Sequence, residues 1–356
     1  MARREFLRLG GAGLVGAVLL GSAGATGGLA QTGSSLKAEF ESAATEYNVP
    51  RELLMAMGYV NTLWEMPPPA ASDYEKGELE GRGAYGIMQL VQNPWRDTLG
   101  RAASLTGLSR EELKAGRAAN VRGGAAVLAD IQGSNKAAEL NGWQESVAGY
   151  GDTDLYAVEV YQTLQEGASA TISTGESLQL SPQDVEVPLI LTARSKADYR
   201  RAVWRPAHRS NYTDRNRGAK QIDMIIVHVA QGSYSGTINW FQYGPSNVSA
   251  HYVLSREGQV AQCVHNEDIA WHAGNWRYNR MSIGIEHAGY AGDPNTWTDR
   301  MYRSSAKLSA YLSRRFNIPV DRRHIIGHRQ VPGVNKRCPG QYFNFDRYLR
   351  MIRRYK

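Results

Sequence analysis

The chain has 356 residues, of which 42% are hydrophobic and 21% are charged, and its formal net charge is +7. These values are typical of a globular protein of about two domains, and they exclude extended disorder and coiled coil. The two cysteines, Cys263 and Cys338, allow at most one disulfide within the chain, which excludes a disulfide-stapled scaffold.

Residues 1–30 have the pattern of a targeting segment. The sequence RREFLR, which begins at Arg3, precedes a weakly apolar run from Leu9 to Leu20. This pattern resembles a twin-arginine export signal, which implies a protein that acts outside the cell or in association with the cell wall. The segment is therefore excluded from the predicted fold, and we expect no stable membrane insertion once it is cleaved. An uncleaved membrane anchor is the alternative.

Charge divides the rest of the chain into two halves. The N-terminal half, residues 31–185, carries 11 basic and 21 acidic side chains, a net charge of −10. The C-terminal half, residues 186–356, carries 27 basic and 12 acidic side chains, a net charge of +15. This asymmetry predicts separate domains, and the basic half suits an anionic cell-wall polymer or lipid headgroup. No nucleic-acid-binding motif is present, so we expect no nucleic-acid partner.

The boundary between the two predicted domains follows from composition. Gly, Ser, Thr and Pro gather in residues 166–185 without a helical period, which predicts a linker there. The linker separates a first domain over residues 36–165 from a second over residues 186–356.

The N-terminal half begins with apolar residues at the spacing of a helix. Leu53, Met57, Val60 and Trp64 recur at helical intervals, and the three prolines that start at Pro67 end the helix. The segments GAYGIMQ, NVRGG and VAGYG follow in that order. Together they resemble the lytic transglycosylase and goose-type lysozyme family, which implies an all-α, lysozyme-like domain that binds glycan strands over residues 36–165.

One departure from that family concerns its catalytic acid. The family has a glutamate followed by serine where this chain has Asn61-Thr62, and an amide cannot protonate a glycosidic oxygen. Glu65 lies one helical turn further on, about 5–6 Å away if the helix continues. The resemblance therefore implies a non-catalytic glycan-binding module. A purely structural helical domain and an active transglycosylase are the alternatives.

Strand patterns mark the C-terminal half. The β-branched run over residues 224–229 predicts a buried central strand that contains His228 near its end. Residues 250–264 alternate about a central turn, which predicts a hairpin, and residues 282–286 predict another strand that ends at Glu286. An amphipathic helix follows. This mixture predicts an α/β domain with a mixed β-sheet flanked by helices.

Five ordered motifs carry a second resemblance: the strand that leads to His228, and the segments SAHYVLSREG, IAWHAG, SIGIEHAG and IIGHRQVPGVNKRCPG. They resemble the zinc-dependent N-acetylmuramoyl-L-alanine amidases, which share their fold with peptidoglycan recognition proteins and bacteriophage lysozymes of the amidase type. The resemblance implies one Zn²⁺ held by His228, His328 and Cys338. Such a site keeps a fourth position open and lowers the pKa of water to about 7. A Cys263–Cys338 disulfide is the alternative.

The same resemblance implies roles for other residues. Glu286 is expected to act as general base and then general acid, and Lys336 to stabilise the tetrahedral oxyanion. Trp271, His272 and Asn279 are expected to line the peptide groove. The implied function is hydrolysis of the amide between N-acetylmuramic acid and L-alanine, with the glycan strand and stem peptide of peptidoglycan as partners. A peptidoglycan-binding protein without activity is the remaining alternative.

Overall fold

The computed structural model describes residues 34–78, 81–134, 137–189, 197–215 and 217–356. From Ser35 onward these residues form one compact unit. The predicted export signal over residues 1–30 lies outside the described residues. Within the described part of the chain, no helix combines the length and apolar character needed to cross a membrane.

Helices dominate the N-terminal half, and their apolar faces meet in one core. They are α1 Leu36–Tyr47, α2 Arg51–Thr62, α3 Thr98–Thr106, α4 Arg110–Ala115, α5 Arg117–Gln132, α6 Gln144–Gly151 and α7 Asp154–Glu166. A small antiparallel sheet of β1 Ala84–Tyr85, β2 Leu90–Asn93 and β3 Arg96–Asp97 lies between α2 and α3. The half is therefore mainly helical, as predicted. It differs from the predicted all-α domain because it contains this small sheet.

The glycine-rich motifs of this half meet at Met88. Asn120, a buried residue of α5, accepts a hydrogen bond from the Met88 N–H at 2.8 Å and donates to the carbonyls of Tyr85 and Leu113. Tyr150 of α6 donates to the Met88 carbonyl at 2.7 Å. Segments that are distant in sequence thus fix one backbone turn.

Helix α2 ends earlier than the apolar spacing predicts. Leu63 and Trp64 both have positive φ, so the chain reverses after Thr62 and the Trp64 indole donates back to the Met55 carbonyl at 2.7 Å. Glu65 consequently leaves the helix and accepts hydrogen bonds from the backbone and hydroxyl of Ser173. The expectation that Glu65 extends the same helical face is wrong.

The predicted linker contains a β-hairpin. Strands β4 Ala168–Thr171 and β5 Ser177–Leu180 pair in an antiparallel register, and Ile172, Leu178 and Leu180 belong to the helical core. The alternation in SLQL buries every second side chain, as expected of a half-buried strand. The prediction of a linker over residues 166–185 is wrong, because small polar residues here form paired strands.

The C-terminal half is an α/β unit with a mixed sheet, as predicted. Its strands are β6 Val203–Trp204, β7 Tyr212–Thr213, β8 Met224–Val227, β9 Tyr252–Leu254, β10 Val260–Gln262, β11 Ile269–Ala270, β12 Ser282–His287 and β13 Ile325–Gly327. Its helices are α8 Tyr234–Gln242, α9 Trp276–Met281, α10 Asp299–Arg315 and α11 Phe345–Tyr355. In the described residues the main sheet has the order β13-β8-β12-β9-β10-β6.

Strand composition explains this sheet. β8 is buried along its whole length and lies between two parallel neighbours, which suits its run of isoleucine and valine. β9 and β10 pair as the predicted antiparallel hairpin. Helices α10 and α11 cover the sheet with apolar faces.

The two halves pack against each other through side chains of both. Arg82 donates to the Gln231 carbonyl at 2.7 Å, and Tyr290 donates to the Asn61 carbonyl at 3.1 Å. Glu159 of α7 accepts from the Ser235 N–H at 2.9 Å. An aromatic cluster from both halves adds to the contact: Tyr74, Trp95, Trp240 and Tyr243. The junction is therefore a packed interface.

Candidate metal centre

Three polar side chains lie at the carboxyl ends of neighbouring parallel strands, at one edge of the sheet. In the register, Val227 of β8 lies between Gly327 of β13 and Ile285 of β12. The next residues along the strands are therefore His228, His328 and Glu286. Carboxyl ends of parallel strands form a common edge where ligands bind in open α/β sheets. The sheet register thus brings together residues that are far apart in sequence.

Cys338 joins this group from the loop that follows β13. Its Sγ atom accepts a hydrogen bond from the Val229 N–H at 3.0 Å, and its carbonyl accepts from the Arg329 N–H at 2.9 Å. One ligand atom each from His228, His328 and Cys338 lies within 4.8 Å of the others. The geometry gathers the three predicted ligands around a space for one ion.

The protonation state of the imidazoles suits a cation. Burial, followed by the charges of His328 and His272, lowers the pKa of His228 well below its ordinary value. Burial likewise lowers the pKa of His328 to about 4, against the opposing effect of a hydrogen bond with the Ala273 backbone. Both rings are therefore neutral near pH 7 and keep a lone pair for coordination.

A buried nitrogen atom without a hydrogen-bond partner also indicates a cation site. The buried Nε2 of His328 has no hydrogen-bond partner among the residues that the structure describes. Buried polar atoms normally have partners, and a coordinated ion would supply one. Two imidazoles and one sulfur form a donor set that zinc prefers, so the residues fit this metal.

The alternative disulfide does not form. Cys263 lies in a different core cluster from Cys338, and neither cysteine takes part in a disulfide. Burial raises the pKa of the Cys263 thiol, which is the behaviour of an inert core cysteine.

Glu286 lies beside His228 inside the protein. Its Oε1 atom is 3.5 Å from His228 Nδ1, and its side chain is only 1% exposed. His287, the next residue, bonds the His228 carbonyl through Nδ1 at 2.7 Å and Ser305 through Nε2 at 2.8 Å. The strand end that carries Glu286 is thereby tied to the strand end that carries His228.

The predicted groove residues divide into two classes. Trp271 and His272 line the cleft at the candidate metal centre, and His272 Nδ1 lies 3.0 Å from His228 Nε2. The His272 ring packs against Gly284 of β12. A Cβ atom at position 284 would lie 2.4 Å from the Cγ atom of His272, so a larger residue there would displace the ring. Asn279 has a different place from the predicted one: it is buried, and its Oδ1 accepts from the N–H groups of His272 and Ala273. It supports the groove instead of lining it.

The cleft has a volume of about 230 Å³ and includes a wall that sequence patterns did not predict. Lys336 lines it, as do Gly77 and Glu78 from the N-terminal half. Lys336 Nζ is 2.5 Å from Glu78 Oε2. No local signal could identify Glu78, because its place depends on how the halves pack together.

The sequence of this chain is similar to a family model and to two known amidases. The family model described as N-acetylmuramoyl-L-alanine amidase matches residues 218–341. N-acetylmuramoyl-L-alanine amidase A of Achromobacter lyticus is 35% identical over an alignment of 173 residues, and the match covers 44% of this chain and 95% of that protein. The 1,6-anhydro-N-acetylmuramyl-L-alanine amidase AmpD of Haemophilus influenzae is 36% identical over 113 residues, 30% of this chain and 59% of that protein.

Solved structures are also similar to this chain. A selenomethionine derivative of AmpD has a TM-score of 0.36 and 24% identity, and the match covers 46% of this chain and 99% of that one. The catalytic domain of XlyA has a TM-score of 0.35 and 20% identity, and the match covers 42% of this chain and 98% of that one.

Proposed function

Because the chain belongs to the N-acetylmuramoyl-L-alanine amidase family, we propose that the group of His228, His328 and Cys338 beside Glu286 is its catalytic centre. The protein hydrolyses the amide bond between N-acetylmuramic acid and L-alanine in peptidoglycan. The observation that carries the assignment of the site is the approach of two neutral imidazoles and one sulfur within 4.8 Å.

His228, His328 and Cys338 would hold one Zn²⁺. When bound, zinc acts as a Lewis acid that polarises a carbonyl group and lowers the pKa of water. Val229 contributes by donating its N–H to the Cys338 sulfur at 3.0 Å, which fixes the position of the sulfur.

Glu286 and Lys336 supply the proton transfer and the stabilising charge. Glu286 accepts the proton of the attacking water, and a bond forms between the water oxygen and the lactyl carbonyl carbon. The Lys336 ammonium stabilises the negative oxygen that develops on that carbon. Glu286 then donates the proton to the leaving nitrogen, and the C–N bond breaks to give a lactyl carboxylate and the free amine of L-alanine. Trp271 and His272 contact the stem peptide.

Substitution of Glu286 tests this assignment. Glu286→Gln keeps the shape of the side chain but removes its basicity, so turnover of a soluble muramyl peptide should fall by about 10²–10⁴-fold. Zinc content should not change, because the three proposed ligands remain. Glu257→Gln, at an exposed position of the same half, is the matched control. Turnover by Glu286→Gln within about twofold of the control would refute the role of Glu286.

The N-terminal half is proposed to hold a glycan strand without cutting it. A cleft of about 270 Å³ lies at the junction, lined by aromatic rings and by the amides of Asn61 and Asn93. Trp95 is 39% exposed and lines this cleft, where its ring would pack against a pyranose while the amides would supply hydrogen bonds to hydroxyls. Glu65 is engaged by Ser173 instead of facing this cleft, and Asn61 cannot act as an acid.

Glycan chains freed of their stem peptides test this second role. Trp95→Ala should weaken their binding by about tenfold, since aromatic contacts contribute about 0.5–1.5 kcal/mol. Tyr342→Ala, which removes an exposed aromatic outside the cleft, should leave binding unchanged. Equal binding by both variants, or anhydro-muramyl products that disappear in Glu65→Gln, would contradict a non-catalytic glycan site.

Export is proposed from the resemblance of the first thirty residues to a twin-arginine signal. Replacement of Arg3 and Arg4 by lysine should leave the protein in the cytoplasm of the producing cell. Unchanged export of that variant would contradict the proposed route.

A further inference from the structure

A segment of the N-terminal half, residues 72–78 and 81–83, contacts the metal-centre cleft. Glu78 Oε2 lies 2.5 Å from Lys336 Nζ, and the two side chains are 33% and 18% exposed. Gly77 also lines the cleft. The segment therefore places a carboxylate on the one lysine that the proposed reaction uses.

A second contact anchors this segment independently. Arg82 is buried, and its guanidinium donates to the Gln231 carbonyl at 2.7 Å, close to the end of β8. The approach depends on Gly232, where a Cβ atom would lie 1.5 Å from Arg82 Nη2. The segment that carries Glu78 is thus anchored in the packed junction through Arg82.

The charge of Glu78 opposes the charge that the reaction needs. An oxyanion is stabilised by nearby positive charge, and a carboxylate in contact with Lys336 cancels much of that field. We propose that Glu78 is a positioning residue that holds the Lys336 ammonium in the resting enzyme, so that the N-terminal half restrains turnover by the C-terminal half. This inference rests on the proposed role of Lys336.

The proposed restraint by Glu78 should affect kcat and not KM. Lys336 interacts with charge that exists only in the transition state, so removal of the opposing Glu78 charge should raise kcat and leave KM nearly constant. A merely structural role of Glu78 would instead lower kcat or leave both parameters unchanged.

Kinetics of the full-length, zinc-loaded protein test the inference. Glu78→Gln should raise kcat on a soluble muramyl peptide by about 3–10-fold, with KM within about twofold. Glu75→Gln removes the same charge from an exposed position of the same segment and should not change kcat. In a Lys336→Met background, Glu78→Gln should give no gain, because the effect passes through the lysine.

A chemical readout tests the ion pair without relying on activity. In metal-free wild type, a carbodiimide should join the Glu78 carboxyl to the Lys336 amine as an amide, with one water lost and taken up as the urea. Peptide mass analysis should find this cross-link in wild type and in Glu75→Gln, and should not find it in Glu78→Gln.

The outcomes separate the two proposals. If wild type releases no stem peptide, the proposed function fails, and a cross-link would still show that the ion pair exists. If wild type is active but Glu78→Gln has the same or a lower kcat, or if no cross-link forms, the restraint by Glu78 is refuted alone.

Discussion

At the scale of single residues, the two cysteines show how surroundings decide chemistry. Cys263 is enclosed by apolar neighbours, and burial raises its thiol pKa. Cys338 is equally buried, but its sulfur lies beside two neutral imidazoles and accepts a backbone N–H. The second environment suits a coordinating sulfur, whereas the first suits a packing side chain.

The contrast between the cysteines leads to a prediction about zinc. Cys338→Ser should lower zinc affinity by at least about 100-fold, more than is typical for residues that only support a ligand. Cys263→Ser should keep its zinc. Metal analysis after dialysis against a weak chelator measures both variants, and full zinc retention by Cys338→Ser would show that the sulfur is not a ligand.

Sequence patterns predicted some residues of the site better than others. His228 and Glu286 stand at the ends of recognisable strands, and motif resemblance singled out His328, Cys338 and Lys336. Their convergence depends on the parallel register of β8, β12 and β13, which no local spacing encodes. The resemblance placed Asn279 in the groove, but its Oδ1 accepts hydrogen bonds from the backbone N–H groups of His272 and Ala273.

At the scale of elements, the hairpin β4–β5 is joined to the helical core by Glu176. This carboxylate accepts from the Leu36 N–H at 2.7 Å and pairs with Arg117 at 2.6 Å. Burial alone would raise the pKa of Glu176, but these two partners hold it below its ordinary value. The hairpin thus connects the start of α1 to the start of α5.

The ionised form of Glu176 should therefore stabilise the fold. Because its folded pKa is depressed, its contribution is present above the unfolded value and is lost as pH falls through the folded value. Glu176→Gln should cost about 1–2 kcal/mol of unfolding free energy at pH 7, and this cost should shrink as the pH falls below about 4.5. Denaturant unfolding at a series of decreasing pH values measures this loss. If the difference in unfolding free energy between wild type and Glu176→Gln did not change with pH, or if the exposed control Glu166→Gln showed a similar loss, the stabilising role of ionised Glu176 would be contradicted.

Element boundaries were least predictable where the backbone changes direction. The spacing of Leu53, Met57, Val60 and Trp64 predicts a longer α2, yet positive φ at Leu63 and Trp64 ends it. Tertiary packing of the Trp64 ring overrides the periodic pattern. In the hairpin, the segment SLQL lacks a helical period but alternates with the period of a strand, so composition indicated a linker where β5 forms.

At the scale of the whole molecule, the acidic and basic halves form one packed body. Glu159 of α7 lies at their junction, and burial raises its pKa to about 8, despite hydrogen bonds from Ser235 that lower it. The carboxyl group is therefore mostly protonated at neutral pH.

The junction should consequently weaken as pH rises. A raised folded pKa stabilises the fold below the unfolded value, and this contribution is lost as pH increases from about 4.5 to 8. The slope approaches about 1.4 kcal/mol per pH unit. Glu159→Gln can still accept from the Ser235 N–H, so it should remove the slope. The unfolding free energy of wild type minus variant, measured from pH 5 to 8, should fall steadily. A flat difference, as expected for the exposed control Glu145→Gln, would contradict the protonated junction.

We propose that two imidazoles and one sulfur hold a metal that enables amide hydrolysis. Mass analysis of purified cell wall digested by the full-length protein, with and without chelator, tests this claim. We predict intact stem peptides with a free L-alanine amine, glycan chains with free lactyl carboxylates, loss of both products with chelator, and recovery with added zinc. Release of the same products by metal-free protein, or of anhydro-muramyl sugars alone, would contradict the claim.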